Sequence, residues 1–359
     1  MKKYFLISYF ISVSLLQTIF AQDNASVKDN FGLHVENFNF FKNAEYFNPI
    51  TDGYTDIGYF LAPAISYNFQ SSFRLKAGIH VMRFSGEDGF ADVQPIFTAS
   101  WIPNKNLKMN LGTLEGGHKH KLIEPLYFSD LHWLKNVENG IQFLFQNKYL
   151  DADLWLNWEK HVRKTDEFQE HFTFGFTGKT YVYRRINSID VSLPMQIIIT
   201  HRGGQGILKT GQVETLANFA AGINIAFALD NSYLKSISIK NYSLAYADLS
   251  PLKEQSFTKG FGYLSQLELS NNHFVVDFNY WYAYHFIAPR GNPILQSISE
   301  KHESYNRPTR NLLYSGLRFL HSIYNGVDLQ VGLQLFYDPL RKELEYSYTL
   351  FLKVEISRL

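Results

Sequence analysis

Residues 325–357 read N-G-V-D-L-Q-V-G-L-Q-L-F-Y-D-P-L-R-K-E-L-E-Y-S-Y-T-L-F-L-K-V-E-I-S. In this stretch Val327, Leu329, Val331, Leu333 and Leu335 alternate with Asp328, Gln330, Gly332 and Gln334. After a short polar break, Tyr346, Tyr348, Leu350, Leu352, Val354 and Ile356 alternate with Ser347, Thr349, Phe351, Lys353, Glu355 and Ser357. A period of two places each set on its own side of a sheet. A Lys near the middle of a lipid-facing strand costs about 2–4 kcal/mol, so Lys353 and Glu355 are expected to face a wet interior. Asn325-Gly326, which opens the stretch, is the strongest short hairpin signal in the chain.

Working backwards, the same rhythm extends to Phe31. Roughly sixteen amphipathic runs of about 10–17 residues are joined alternately by short and long connections, the pattern of a transmembrane β-barrel. The short connections are Gln70-Ser71-Ser72, Pro103-Asn104-Lys105-Asn106, Leu150-Asp151, Arg185-Ile186-Asn187, Asp230-Asn231-Ser232, Asn271-Asn272 and Asn325-Gly326. The longer loops fall near 42–56, 86–91, 118–138, 162–169, 203–210, 249–256, 289–310 and 338–343. The expected fold is all-β: a closed antiparallel barrel of about 16 strands, with short periplasmic turns and longer external loops. Around residues 237–246 the apolar positions change phase near Asn241, which predicts a bulge.

Lys2 and Lys3 precede an apolar stretch ending near Phe20, and Ala21-Gln22 is a cleavage point of the signal-peptide kind. Residues 1–21 are therefore expected to be a leader and 22–359 the barrel, located in the bacterial outer membrane. With no cysteine, neither a Cys-linked lipid anchor nor a disulfide scaffold is available. Aromatic residues make up 16% of the chain, including 31 Phe and 23 Tyr, while mean hydropathy is only −0.19. Alternating greasy and polar positions reconcile the two values. Tyr59, Trp101, Tyr149, Trp158 and Tyr284 suit interfacial girdles. A formal charge of +1 without a clustered basic surface excludes a nucleic-acid partner.

The inward positions carry both signs: Arg74, Lys76, His80, Lys108, Lys148, Arg318 and Lys353 against Asp153, Glu159, Glu268, Asp277, Asp328 and Glu355. That mixture favours neither anions nor cations strongly. The connection His118–Asn139 is too apolar for a solvated loop, since Leu122, Ile123, Leu126, Tyr127, Phe128, Leu131, Trp133 and Leu134 need burial. It is expected to fold into the barrel, with His118, Lys119, His120, Lys121, Glu124 and Asp130 as the polar groups of a constriction.

The segment G-G-H-K-H-K-L-I-E-P-L-Y at Gly116–Tyr127, together with the aromatic-rich strands and the Ala21-Gln22 junction, resembles outer-membrane porin-type barrels of the Bacteroidota. The resemblance implies that the third external loop, here 118–138, narrows the lumen. Leu359 departs from the terminal aromatic that such barrels commonly carry; Phe351, Tyr348 and Tyr346 stand nearby.

Chemistry-bearing clusters are weak by comparison. His118, His120 and His132 with Glu115, Glu124 and Asp130 could be assembled into a metal or acid–base site, but only one residue separates His118 from His120 and no helix or supporting partner can be argued to organise them. His201-Arg202-Gly203-Gly204-Gln205 resembles an oxyanion loop without an identifiable nucleophile. No G-x-S-x-G, Walker A or H-E-x-x-H occurs. The expectation is a porin-like channel for small hydrophilic solutes, non-enzymatic, with no catalytic residues, metal or cofactor. Outer-membrane lipids and the barrel-assembly machinery are its expected partners, and a homo-oligomer is left open. The alternatives are a barrel that binds or transports a specific ligand or partner protein, and an outer-membrane hydrolase.

Overall fold

The computed structural model describes residues 30–163, 166, 168–185, 188–203, 212–230, 233–302 and 304–358. The expected leader lies outside the described residues. Among them, strands β1 (Asn30–Glu45), β2 (Tyr54–Phe69), β3 (Phe73–Phe84), β4 (Asp92–Asn104), β5 (Leu107–Thr113), β6 (Asn139–Gln146), β7 (Leu150–Lys160) and β8 (His171–Arg185) build the first half of the wall. The second half is β9 (Ile189–Arg202), β10 (Glu214–Ala228), β11 (Ser236–Asp248), β12 (Lys259–Ser270), β13 (Phe274–Tyr284), β14 (Thr309–Tyr324), β15 (Val327–Asp338) and β16 (Glu343–Arg358). Each strand pairs antiparallel with its sequence neighbours, and β1 closes on β16 from Leu33↔Arg358 to Glu45↔Tyr346. Closure gives every strand a neighbour on both sides, which a structure surrounded by lipid requires. No helix among the described residues is long and apolar enough to span a membrane.

The faces follow the alternation. On β13, Phe274, Phe278, Tyr280 and Tyr284 are exposed, while Val275, Asn279, Trp281 and Ala283 are buried inside. On β16, Glu345 and Ser347 are buried between exposed Tyr346 and Tyr348.

The bulge expected near Asn241 is absent, because β11 keeps continuous register with both neighbours. The change of phase has another cause. In the periplasmic half of β11 Ile239 faces outward and Lys240 lines the lumen, whereas higher up Tyr242, Leu244 and Tyr246 point inward and are buried. The phase switch therefore marks the height at which the lumen turns from wet to dry.

The two shortest strands expose the reason. β5 has 7 residues and β6 has 8, and the first β4–β5 pair is Thr98↔Gly112. Asp92–Phe97 thus rise with no β5 partner, and the chain leaves the wall partway up. Gly112 turns it inward with φ of 100°, and a Cβ there would lie 2.2 Å from the Phe97 carbonyl oxygen. Gly140 marks the return, where a Cβ would sit 1.9 Å from the Leu156 carbonyl oxygen.

Sidedness has a direct test. A cysteine at Glu254, exposed in the β11–β12 loop, is expected to react with a membrane-impermeant maleimide on intact cells. One at Asn271, in a short turn, should react only after the outer membrane is permeabilised; the reverse pattern would invert the topology.

Candidate functional site

Residues 114–138 enter the barrel with two single helical turns, Gly117–His120 and Leu131–Leu134. A second inward segment, 285–298, meets them through the Phe128 N–H to the Arg290 carbonyl at 2.6 Å and the Asn292 N–H to the Glu124 carbonyl at 3.1 Å. Leu126, Tyr127, Phe286, Ile287, Ile294 and Leu295 pack with the inward faces of β9 to β15 into one apolar core inside the wall. Trp133 joins Phe38, Phe40, Phe60 and Met82 in a second core on the β1–β3 side. The outer half of the lumen is filled.

Buried ion pairs fix the plug. Lys42 Nζ donates to both Asp130 oxygens, at 2.7 and 2.8 Å, and the Tyr54 hydroxyl donates to the same carboxylate. The ammonium also lies 5.1 Å from the Phe128 ring centroid. His120 is fully buried between two acids: Nδ1 is 2.7 Å from Asp153 and Nε2 is 2.8 Å from Glu138, with the ring stacked on Trp155 at 3.7 Å. Burial draws the imidazole pKa down, but Glu138 and Asp153 outweigh it and push the pKa up to about 9. Burial likewise opposes charge on Glu138, yet the His120 charge holds that carboxyl below its ordinary range. The Tyr127 hydroxyl donates to Glu138 at 2.8 Å, which completes the knot.

Of the expected constriction groups, His120 and Asp130 are struts rather than pore-lining groups. His118 lies against His132, tilted, with ring centroids 4.4 Å apart, and Lys121 pairs with Asp151 at 2.6 Å. Glu124 accepts from Asn292 Nδ2 at 2.9 Å, and Lys119 is exposed. Below the plug a cavity of about 460 Å3 is lined by Lys119, Lys121, Lys179, Gln196, Lys240 and Arg318, among others. Its wall residues come from the middle and periplasmic parts of β6 to β12 and β14, so it lies on that side of the plug.

The expected inward charges mostly neutralise one another along the wall. Arg318 reaches Glu268 at 3.7 Å and Asp277 at 3.6 Å, and Lys353 reaches Glu355 at 2.6 Å. Lys108 pairs with Glu115, whose carboxyl is held at about 2 against the effect of burial by Lys108 and Lys119. Glu159 pairs with Arg290, and Asp328 accepts from Ser322 at 2.5 Å. Arg74 donates to Asn68 at 2.5 Å, Lys76 is half-buried on the inner face of β3, and His80 is buried 3.6 Å from Asp92. Lys148 lies instead in the turn before β7, exposed over Tyr149. Among the described residues no group of three or more His, Cys, Asp or Glu side chains is placed to hold a metal.

A different cluster lies on the outside of the wall. Near the outer ends of β7 to β10, the pairs Trp158↔Phe172, Phe172↔His201 and His201↔Thr215 form one row on the lipid-facing side. Phe172 stacks on both Trp158, at 5.4 Å, and His201, at 4.7 Å. His201 Nε2 lies 2.7 Å from the Gly203 carbonyl oxygen, and Nδ1 lies 2.8 Å from the Thr215 hydroxyl. A carbonyl can only accept, so His201 Nε2 carries a proton and donates it to Gly203. The sequence shows His201 in its strand-tip motif but gives no sign of Thr215, because strand pairing alone brings the two together.

Closed wall, girdle aromatics and inward segments define an outer-membrane β-barrel, and the fold is shared with known ones. OprD from Pseudomonas aeruginosa aligns over 94% of this chain and 96% of its own, with a TM-score of 0.52 and 7% identity. OmpT from Vibrio cholerae aligns over 92% and 100%, with a TM-score of 0.53 and 6% identity. No curated protein matches the sequence. The chain belongs to the lipid A 3'-O-deacylase-type family, whose family model matches residues 21–359. That membership corrects the expectation of a non-enzymatic barrel, because the family is named for a hydrolytic activity. Barrel sites are assembled across strands from isolated residues, so the missing local motifs carried no weight against an enzyme.

Proposed function

We propose that this protein is an outer-membrane acyl hydrolase that removes an O-linked fatty-acyl chain from a lipid A-like glycolipid of the outer leaflet. The observation that carries the reading is the family match, which spans the barrel from end to end. The filled outer lumen supports it, because a substrate then meets the protein at the outer rim and the lipid-facing wall. On this reading the outer-membrane lipids are both solvent and substrate, and residues 1–21 are the export signal that delivers the chain to them. The test is to incubate purified, folded barrel with acylated glycolipid in mixed micelles and follow the lipid by mass spectrometry. Loss of one acyl chain with release of free fatty acid is expected; unaltered lipid in the presence of folded protein would refute the reading.

A second reading keeps the channel for small hydrophilic solutes, narrowed by 118–138. What favours it is the charged cavity open toward the periplasm. It requires solutes to pass the two packed cores, and single-channel recording in planar bilayers would detect that passage.

A further inference from the structure

We propose that the chamber beneath the plug is a binding site for a small phosphate monoester, of sugar-phosphate size, that enters from the periplasm. The site is separate from the lipid chemistry proposed above and stands without it.

Charge is the first observation. Plug and wall send five cations into the chamber: Lys119 and Lys121 from the plug, Lys179 from β8, Lys240 from β11 and Arg318 from β14. Of the five carboxyl groups in its lining, two are committed to other partners, Glu115 to Lys108 and Asp153 to His120. Burial pushes a third, Glu124, up toward its neutral form. There remain Asp151, held by Lys121 at 2.6 Å, and Glu268, shared by Lys240 at 3.2 Å and Arg318 at 3.7 Å. Strand pairing sets Lys179 directly across from Asp151, so Lys121 and Lys179 converge on one carboxylate. Among the described residues, Lys119 and Lys179 are the chamber's two cations without an ion pair.

The second observation is backbone strain under a chamber-lining side chain. Lys121 sits in the left-handed region, with φ 57° and ψ 31°, which L side chains rarely adopt. Gln196, buried on β9, clamps it there. Its Nε2 donates to the Lys121 carbonyl at 3.0 Å, and its Oε1 accepts from the Ile123 N–H at 3.0 Å. Strain of this kind clusters at ligand sites, where it fixes a group in place before the ligand arrives.

Size and access complete the case. A volume of about 460 Å3 lies within the roughly 300–1,000 Å3 of small-molecule sites and far exceeds a bare ion. Tyr242 and Tyr314 line it beside the cations and offer surface against which a sugar-sized body packs. The two packed cores close the lumen above, so the ligand is a periplasmic solute and not the outer-leaflet glycolipid. A phosphate monoester carries close to two negative charges on three terminal oxygens, which matches Lys119 and Lys179 together; a carboxylate matches only one of them.

Isothermal titration calorimetry on the full-length folded barrel, in detergent at about 150 mM salt, tests the site. The probes are glucose 6-phosphate, inorganic phosphate, glucuronate and glucose. Glucose 6-phosphate is expected to bind more tightly than the other three. K119M and K179M, with heat-modifiable migration unchanged, should each weaken it by about 10-fold or more. K148M, in an exposed turn outside the chamber, should leave it unaltered. Lys119 is exposed on the plug, so K119M keeps the test decisive if K179M does not fold. Weakening by K148M as large as by K119M would reduce the effect to general surface charge and overturn the site. Glucuronate bound as tightly as glucose 6-phosphate would overturn the phosphate, and inorganic phosphate bound as tightly would overturn the sugar-sized body. No heat from any probe would overturn the whole proposal.

Discussion

Replacing His120 by alanine is expected to free the 114–138 segment from the wall and open the outer lumen. The substitution leaves Glu138 and Asp153 buried and facing one cavity without the cation between them. Breaking a buried charge network in this way costs about 3–5 kcal/mol. Barrel closure does not depend on His120, because the sixteen strands pair without it. H120A should therefore migrate as a folded barrel, show faster proteolysis between Lys119 and Lys135, and conduct ions. A folded H120A with a closed lumen and a protected plug would show that the apolar packing alone holds the segment.

The same site predicts a pH dependence. The imidazole pKa is raised from 6.5 to about 9 in the folded plug. A raised pKa means that the contribution is fully present below about pH 6.5 and is lost as pH rises through 9. The span corresponds to about 3 kcal/mol. Hydrogen-exchange protection factors within 117–134 should be high and constant up to near neutrality, then fall toward pH 9–10. Protection factors that stay constant through pH 10 would remove the charge on His120 from the account.

Asp130 carries the second large effect. D130A strands the Lys42 ammonium, whose side chain is only 3% exposed, with no carboxylate to neutralise it. The expected loss is again about 3–5 kcal/mol, read as a lower urea midpoint or a lower temperature for the gel-mobility shift. The double variant K42M/D130L removes both charges and should recover most of that loss, because well-packed apolar pairs replace buried ion pairs at little cost. If D130A and the double variant are equally destabilised, side-chain volume rather than charge matters there.

The sequence carried these features unevenly. Strand faces and short turns were readable because lipid and water lie on opposite sides of every strand, so a period of two is written directly into residues such as Val327–Gln334. The density of apolar residues in 118–138 likewise pointed to burial. The misreading at Asn241 came from treating the lumen as uniformly wet, when Tyr242, Leu244 and Tyr246 face a dry plug. The second inward segment escaped notice because Pro289, Gly291, Asn292 and Pro293 interrupt its apolar residues and imitate a solvated loop. Lys42 was assigned to a loop, yet it is an inward position of β1 that only the plug makes sense of. The outward contact between His201 and Thr215 was half visible: His201 stood in its strand-tip motif, but only the β9–β10 register brings Thr215 to it.

The central claim is that the barrel works on its surrounding lipid and not as a conduit. One preparation tests both sides of it: wild-type protein reconstituted into a planar bilayer whose outer leaflet contains the acylated glycolipid, with ion current and fatty-acid release followed together. Fatty acid should appear with no steady single-channel current. A steady current with the glycolipid ester intact would contradict the account.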